Sequence, residues 1–230
     1  MSSSYGQFCP VAMAAEIVCS RWTVLVVREL MCGTTRFNDL RRGVPRMSPA
    51  LLSKRLKELE QAGVVRVVPT AQAGINEYRL TEAGEELRPL VMGLGTWGHR
   101  WVESNVSLRN LDPTLLMWDM RRGVDPKAFP AGRSTVQFLY PEAEEKRRNY
   151  WLVVEKGDVD LCYADPGFEV DLWVRCPLRV MTAIWMGYSS LRAELASGAL
   201  EVEGAPALAR SMPVWLGLSP FAKAQQQEVA

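Results

Sequence analysis

The chain has 230 residues, 48% of them hydrophobic and 23% charged, with a formal net charge of +1. That length fits one large domain or two modest ones, and the composition excludes both a disordered tail and a whole-chain polyelectrolyte. The apolar runs fall short of the ~18 residues of a membrane span, and the first ten residues lack the Lys or Arg of a secretory signal, so a cytoplasmic protein without membrane contact is expected.

In chain order, Pro10 opens a predicted helix over 10–18. Ser20 is the expected cap of a nearly continuously apolar helix over 22–31, which Gly33 ends. Phe37 and Leu40 mark a short helix that Gly43 and Pro45 stop. Ser48 caps the next, with Pro49 at its first position, and Leu52, Leu56 and Leu59 share one face. Residues 64–68 and 77–80 read as two strands around a turn over 69–74. Thr81 caps a helix extending to residue 103, in which Pro89 predicts a kink or break. Asp112 and Pro113 open a helix to 122. Strands follow at 135–140, 149–155, 159–163 and 169–175, then helical sequence over 178–196 interrupted at Gly187. A last short strand at 200–202 and a helix over 206–216 complete the chain. Alternation of Val136, Phe138 and Tyr140, of Trp151 and Val153, and of Leu172 and Val174 predicts a sheet with one packed face.

The neutral average hides a division. Residues 21–66 carry ten basic and four acidic side chains, a local charge of +6, whereas residues 106–230 carry fourteen basic and sixteen acidic. The positive segment contains the order helix, tight turn, capped helix, hairpin, which is the pattern of a helix-turn-helix followed by a wing. Opposite its leucines, the second helix presents Ser48, Pro49, Ala50, Ser53, Lys54 and Lys57, with Arg55 on the flank. That mixture of small residues, hydroxyls and cations suits a major groove. Arg41, Arg42 and Arg46 flank the turn where phosphates would pass. Arg36 precedes the first helix of the pair, and Arg66 and Arg79 lie on the wing strands.

Five scattered cysteines and a single histidine, His99, give no zinc-finger spacing and no basis for a His-rich metal site. No phosphate-binding glycine loop or catalytic triad is expected, and so no cofactor, no metal, no catalytic residue and no enzyme. Cys9 stands just before Pro10, where a helix N-terminus favours a thiolate; it is the candidate redox sensor, with burial as a small hydrophobe the alternative. Cys19, Cys32, Cys162 and Cys176 read as core.

Several motifs together resemble the HxlR family of bacterial winged-helix transcription regulators. They are Cys9-Pro10-Val11, Arg21-Trp22-Thr23, Arg36-Phe37-Asn38-Asp39-Leu40, Met47-Ser48-Pro49, the run from Leu52-Ser53-Lys54 through Leu59-Glu60, and Glu77-Tyr78-Arg79-Leu80-Thr81-Glu82-Ala83-Gly84. The resemblance covers residues 8–102. It implies a homodimer whose outer helices pair, recognition helices in successive major grooves of double-stranded operator DNA, and a sensing role for Cys9. Cys19 and Ser20 replace the glycines common before the Arg-Trp pair, and Arg46 replaces a usual glycine. The wing tip, Gln72-Ala73-Gly74-Ile75-Asn76, lacks the family's Pro and Arg, which leaves Arg66 and Arg79 as the wing's cations.

Residues 167–218 resemble a sterol-carrier-protein-type lipid-binding domain through Glu169-Val170-Asp171-Leu172-Trp173-Val174, the run from Met181 to Ile184, and the run from Ala196-Ser197-Gly198 to Val202-Glu203-Gly204. This implies an apolar cavity for a small-molecule effector, with Trp118, Phe138, Trp151, Trp173, Trp185 and Met186 as lining candidates; the alternative is that all six are core. The expected organisation is therefore a mostly α winged helix with a β-hairpin wing over 8–105, and a sterol-carrier-like α+β domain with a single sheet and packed helices over 106–230. The expected function is operator binding by a homodimeric repressor, relieved by a thiol-modifying signal or an apolar ligand. The rival is a lipid or small-molecule carrier whose first half is an interaction module without DNA affinity.

Overall fold

Pro10, Pro49, Pro113 and Pro206 each open a helix, where the missing N–H and fixed φ of proline cost nothing. The computed structural model describes residues 4–71, 74–102, 108 and 111–222, and divides into two compact units, residues 1–94 and 95–230.

The first unit contains α1 (Pro10–Val18), α2 (Thr23–Met31), α3 (Phe37–Gly43), α4 (Pro49–Gln61), a hairpin of β1 (Val65–Pro69) and β2 (Asn76–Leu80), and α5 (Glu82–Glu85). The helix α6 (Arg88–Trp101) begins in it. Val26, Val27 and Leu30 of α2 form its core with Leu40, Val44, Met47, Leu52, Leu56, Leu59, Val64, Val65 and Val91. Val44 and Met47 are buried in the turn between α3 and α4, so that turn is anchored at both ends. The wing is tied back to the residues before α3: the Tyr78 N–H donates to the Thr35 carbonyl at 2.8 Å, and Arg36 forms an isolated β-bridge with Glu77.

Two local expectations change. Ser20 does not cap α2. Its carbonyl accepts from the Thr23 N–H at 3.0 Å, and Trp22 stands at the N-cap with a φ of 78°. That left-handed residue lets α1 and α2 meet at 80° while the Trp22 side chain packs on the core. The helix expected from Thr81 to residue 103 is two helices, broken at residues 86–87. Pro89 has no N–H to donate to the Glu85 carbonyl, so α5 stops and α6 restarts. Thr81 caps α5 as expected, accepting from the Gly84 N–H at 3.2 Å. The predicted end at 103 lies outside the described residues.

The second unit has α7 (Pro113–Gly123), whose Asp112 cap accepts from the Leu115 N–H at 3.0 Å. Its sheet comprises β3 (Ser134–Leu139), β4 (Asn149–Glu155), β5 (Asp158–Cys162), β6 (Leu172–Arg175) and β7 (Glu201–Gly204), in the order β5-β4-β3-β6-β7. β3 and β6 are parallel and the other neighbours antiparallel. The helices α8 (Leu178–Trp185), α9 (Leu191–Ala196) and α10 (Pro206–Trp215) complete an α+β unit. The compact units divide within α6, whereas the sequence placed a boundary at 105/106. Gly95, in the C-terminal part of α6, lies against the Phe221 ring, where a Cβ would overlap.

The one-faced sheet needs correction at β4. Tyr150, Leu152 and Val154 belong to the core; the register sets Tyr150 opposite Phe138 and Leu152 opposite Val136, which in turn faces Leu172 of β6. Trp151 and Val153 lie on the other face, yet both are buried as well. A strand buried on both sides shows no simple alternation, which is why its sequence misled. Among the described residues no single helix is long and apolar enough to cross a membrane.

Glu29, in the middle of apolar α2, is fully buried, and the Arg28 Nη1 donates to its Oε1 at 3.0 Å. Gly43, the last residue of α3, packs directly on this carboxylate; a Cβ there would overlap it. Gly43→Ala is therefore expected to destabilise the chain by about 1–3 kcal/mol, as overpacking a rigid site does. Urea unfolding checks this, and an unchanged midpoint would show that the Glu29 carboxylate does not hold α3.

Candidate nucleic-acid interface

The face of α4 is set by which of its residues are buried. The Ser48 Oγ accepts from the Leu51 N–H at 3.3 Å, satisfying one orphan donor of the first turn. Leu52, Leu56 and Leu59 then point inward, at most 1% exposed. Pro49, Ala50, Ser53, Lys54 and Lys57 are left exposed on the other side, as the sequence predicts. Ser48 is also exposed, and its hydroxyl keeps its own proton for donation.

Cations surround this face. Arg36, Arg41, Arg46, Lys57 and Arg66 are exposed. Arg42 pairs with Asp39 at 3.1 Å, Lys54 approaches Glu58 at 4.0 Å, and Arg79 holds Glu77 at 2.8 Å. Such exposed pairs are worth about 0–1 kcal/mol, so a phosphate can displace them. Arg66 and Arg79 are directly opposite in the hairpin register. Like charges facing each other disfavour the isolated wing and favour an anion between them. The expected tip residues Gln72 and Ala73 lie outside the described residues.

Arg55 does not join this face. Its side chain is 15% exposed and ion-paired with Glu58. It lines a groove of about 400 Å³ in which Glu16, Ile17 and Ser20 stand against Glu58, Leu59, Gln61 and Ala62. The reason is angular: Arg55 is three residues from Leu52 and four from Leu59, so it borders the buried stripe.

Cys9 is the N-cap residue of α1 and is half-buried. The backbone N–H groups of Ala12 and Val11, in the first turn of α1, hold its thiol below the ordinary value, the effect expected at a helix N-terminus. Cys176 is the opposite case, buried and pushed up to about 12 by desolvation. Cys162 is half-buried, and desolvation raises it as well. Cys19 and Cys32 are exposed rather than core, because each sits just past the end of a helix.

The six expected ligand-lining residues are not brought together. Phe138 and Trp185 are core residues with Met186 packed against them. Trp151 and Trp173 lie on the opposite face of the sheet, in one row with Gln137 between them. Trp118 is buried under Arg121 and Arg122, whose guanidinium carbons lie 4.7 and 5.2 Å from its ring centre. Sequence reasoning also misses the structural part played by Glu29. The available signal is an acid inside an apolar run, which net charge alone treats as one more surface group.

A capped helix with a small, cationic outer face, set by a buried turn against a preceding helix and followed by a hairpin, is a helix-turn-helix DNA-binding module. The family model of the HxlR-like helix-turn-helix matches residues 17–106. The transcriptional regulator YvaP of Bacillus subtilis (strain 168), of the helix-turn-helix type, is 37% identical over 100 residues, covering 42% of this chain and 92% of that protein. The regulator Rv3095 of Mycobacterium tuberculosis (strain H37Rv) is 40% identical over 95 residues, covering 40% of this chain and 58% of that protein. The solved structure of the redox regulator HypR in its reduced form is 30% identical and covers 43% of this chain and 99% of that chain, with a TM-score of 0.40. The chain belongs to the HxlR-like helix-turn-helix family of transcriptional regulators.

The Cys9 environment sets a measurable order of reactivity. Iodoacetamide labelling followed by peptide mass spectrometry should show Cys9 reacting with a pH midpoint below that of a free cysteine peptide. Cys176 should stay unlabelled in the folded protein. A Cys9 profile matching the free peptide would contradict the helix-terminus effect.

Proposed function

We propose that the protein is a homodimeric, sequence-specific operator-binding repressor whose DNA release is triggered by a thiol-modifying signal at Cys9 or by a small molecule in the second unit. The observation that carries this reading is the outer face of α4: small and hydroxyl side chains for base edges, ringed by exposed cations for phosphates. The activity is binding rather than catalysis, and a cytoplasmic setting follows from the DNA partner.

The dimer is supported by apolar surface that the chain itself leaves open. No residue of α1 is buried, and Val11 is 76% exposed. On α6, Leu90, Leu94, Trp97 and Trp101 recur on one helical face and are 56–68% exposed. Contiguous apolar faces of this kind mark protein interfaces. A two-fold axis through these helices would set two α4 helices about one DNA turn, ~34 Å, apart. The lowered thiol of Cys9 on α1 then lies on an element of the proposed interface, where modification would alter the spacing. The ligand arm of the proposal rests on the sequence resemblance of residues 167–218 to a sterol-carrier-type domain; the six aromatic and Met candidates do not line one site.

Fluorescence anisotropy on the duplex upstream of the protein's own gene, across a salt series, tests the reading. Binding should weaken steeply with salt and exceed that to scrambled DNA. Replacing both Lys54 and Lys57 with alanine should lower affinity and reduce the log–log salt slope by about 2, one for each phosphate no longer neutralised. Arg55→Ala should leave the slope unchanged. Salt-insensitive binding would favour the carrier reading instead.

A further inference from the structure

The hairpin joining β4 and β5 contains an unusual residue choice. Glu155 pairs with Asp158, so the loop is Lys156-Gly157, and both residues have positive φ, 54° and 85°. Two-residue loops of this kind favour Asn, Asp or Gly at the first position, because a Cβ is strained there. Lysine is an expensive choice for the turn itself. Its placement has another consequence: Lys156 lines a groove of about 300 Å³ together with Lys127, Phe129, Pro130 and Val154. Lys127 is held by a short turn whose cap, Asp125, accepts from the Lys127 N–H at 3.0 Å.

The lining is chemically two-sided. Pro126, Phe129 and Pro130 supply apolar walls, and Phe129 backs onto the buried Trp215 ring at 5.2 Å. The charged lining residues are two exposed lysines, and neither ammonium is ion-paired among the described residues. Of the nearby carboxylates, Glu155 is held by Arg133 at 3.3 Å and the Asp125 Oδ1 accepts from the Lys127 N–H, while Asp158 is exposed at the far end of the turn and does not line the groove. Two cations over an apolar floor, without a lining carboxylate, complement one class of small molecule. The volume is at the small end for ligand sites.

We infer that this groove binds a small amphipathic carboxylate, a medium-chain or arylalkyl acid, with its apolar body on Phe129 and Pro130 and its carboxylate between Lys127 and Lys156. Its regulatory meaning rests on the effector reading proposed above; the binding itself does not. The site is distinct from the apolar effector cavity that the sterol-carrier resemblance implies, and none of the six residues assigned to that cavity lines it.

Calorimetric titration of the full chain with octanoate tests the site, with 1-octanol as the uncharged control. Saturable one-to-one binding of octanoate, much weaker for octanol, is expected. Removing both charges with Lys127→Gln and Lys156→Gln should weaken binding about ten-fold, the size of two exposed charge interactions. Lys156→Gly separates function from folding: it should raise the thermal midpoint, since glycine accepts the left-handed turn, while weakening octanoate binding. Absent binding, non-saturable uptake, or affinity unchanged in these variants overturns the proposal. Repeating the DNA titration with octanoate present distinguishes the two readings: saturable binding that leaves DNA affinity unchanged upholds the site and overturns the effector role.

Discussion

The burial of the Leu52, Leu56 and Leu59 stripe in the core of the first unit is the constraint on which the rest depends. Once those three side chains are buried with Val26, Val27 and Leu30, the rotation of α4 about its axis is fixed. Everything functional on that helix follows from the rotation. Ala50, Ser53, Lys54 and Lys57 are turned outward, and Arg55 is turned into the groove beside α1. The buried Glu29 adds a second restraint by seating Gly43, so the end of α3 and the turn before α4 cannot drift. A DNA-reading face needs such rigidity, because base-edge hydrogen bonds tolerate little misplacement.

What could be read from the sequence was what local chemistry decides. Ser48-Pro49, Asp112-Pro113 and Thr81 announced helix starts because capping is a short-range effect, and all three caps are formed. The leucine period on α4 gave its two faces. The hairpin wing followed from β-branched runs flanking turn residues. What could not be read was decided by tertiary packing. Trp22 adopts a left-handed backbone because two helices must meet at 80°, which no local propensity encodes. Trp151 and Val153 looked like core-facing residues, but β4 is buried on both sides and the register put them on the other one. Spacing places Arg55 on the flank of the reading face, but its burial and its pairing with Glu58 depend on the neighbouring groove, which spacing does not show. Lys156 was invisible because the strain that makes it notable is a backbone angle.

The two units carry complementary roles in the proposed account. The first supplies the cationic reading face, the open apolar helices α1 and α6, and a thiol whose acidity is raised by a helix N-terminus. The second has an α+β core of its own and a groove whose charge and shape suit an amphipathic anion. A signal arriving at either needs only to change how two recognition helices are spaced. That is a small energetic demand, since a few kcal/mol of differential binding suffices to move such an equilibrium.

Hydroxyl-radical footprinting on the upstream duplex tests the central claim most directly. A dimer presenting two α4 helices should give two protected patches on one face of the DNA, separated by about one helical turn, ~34 Å. Alanine at both Lys54 and Lys57 should remove both patches together. A single protected patch, or uniform protection that does not depend on α4, would contradict the account.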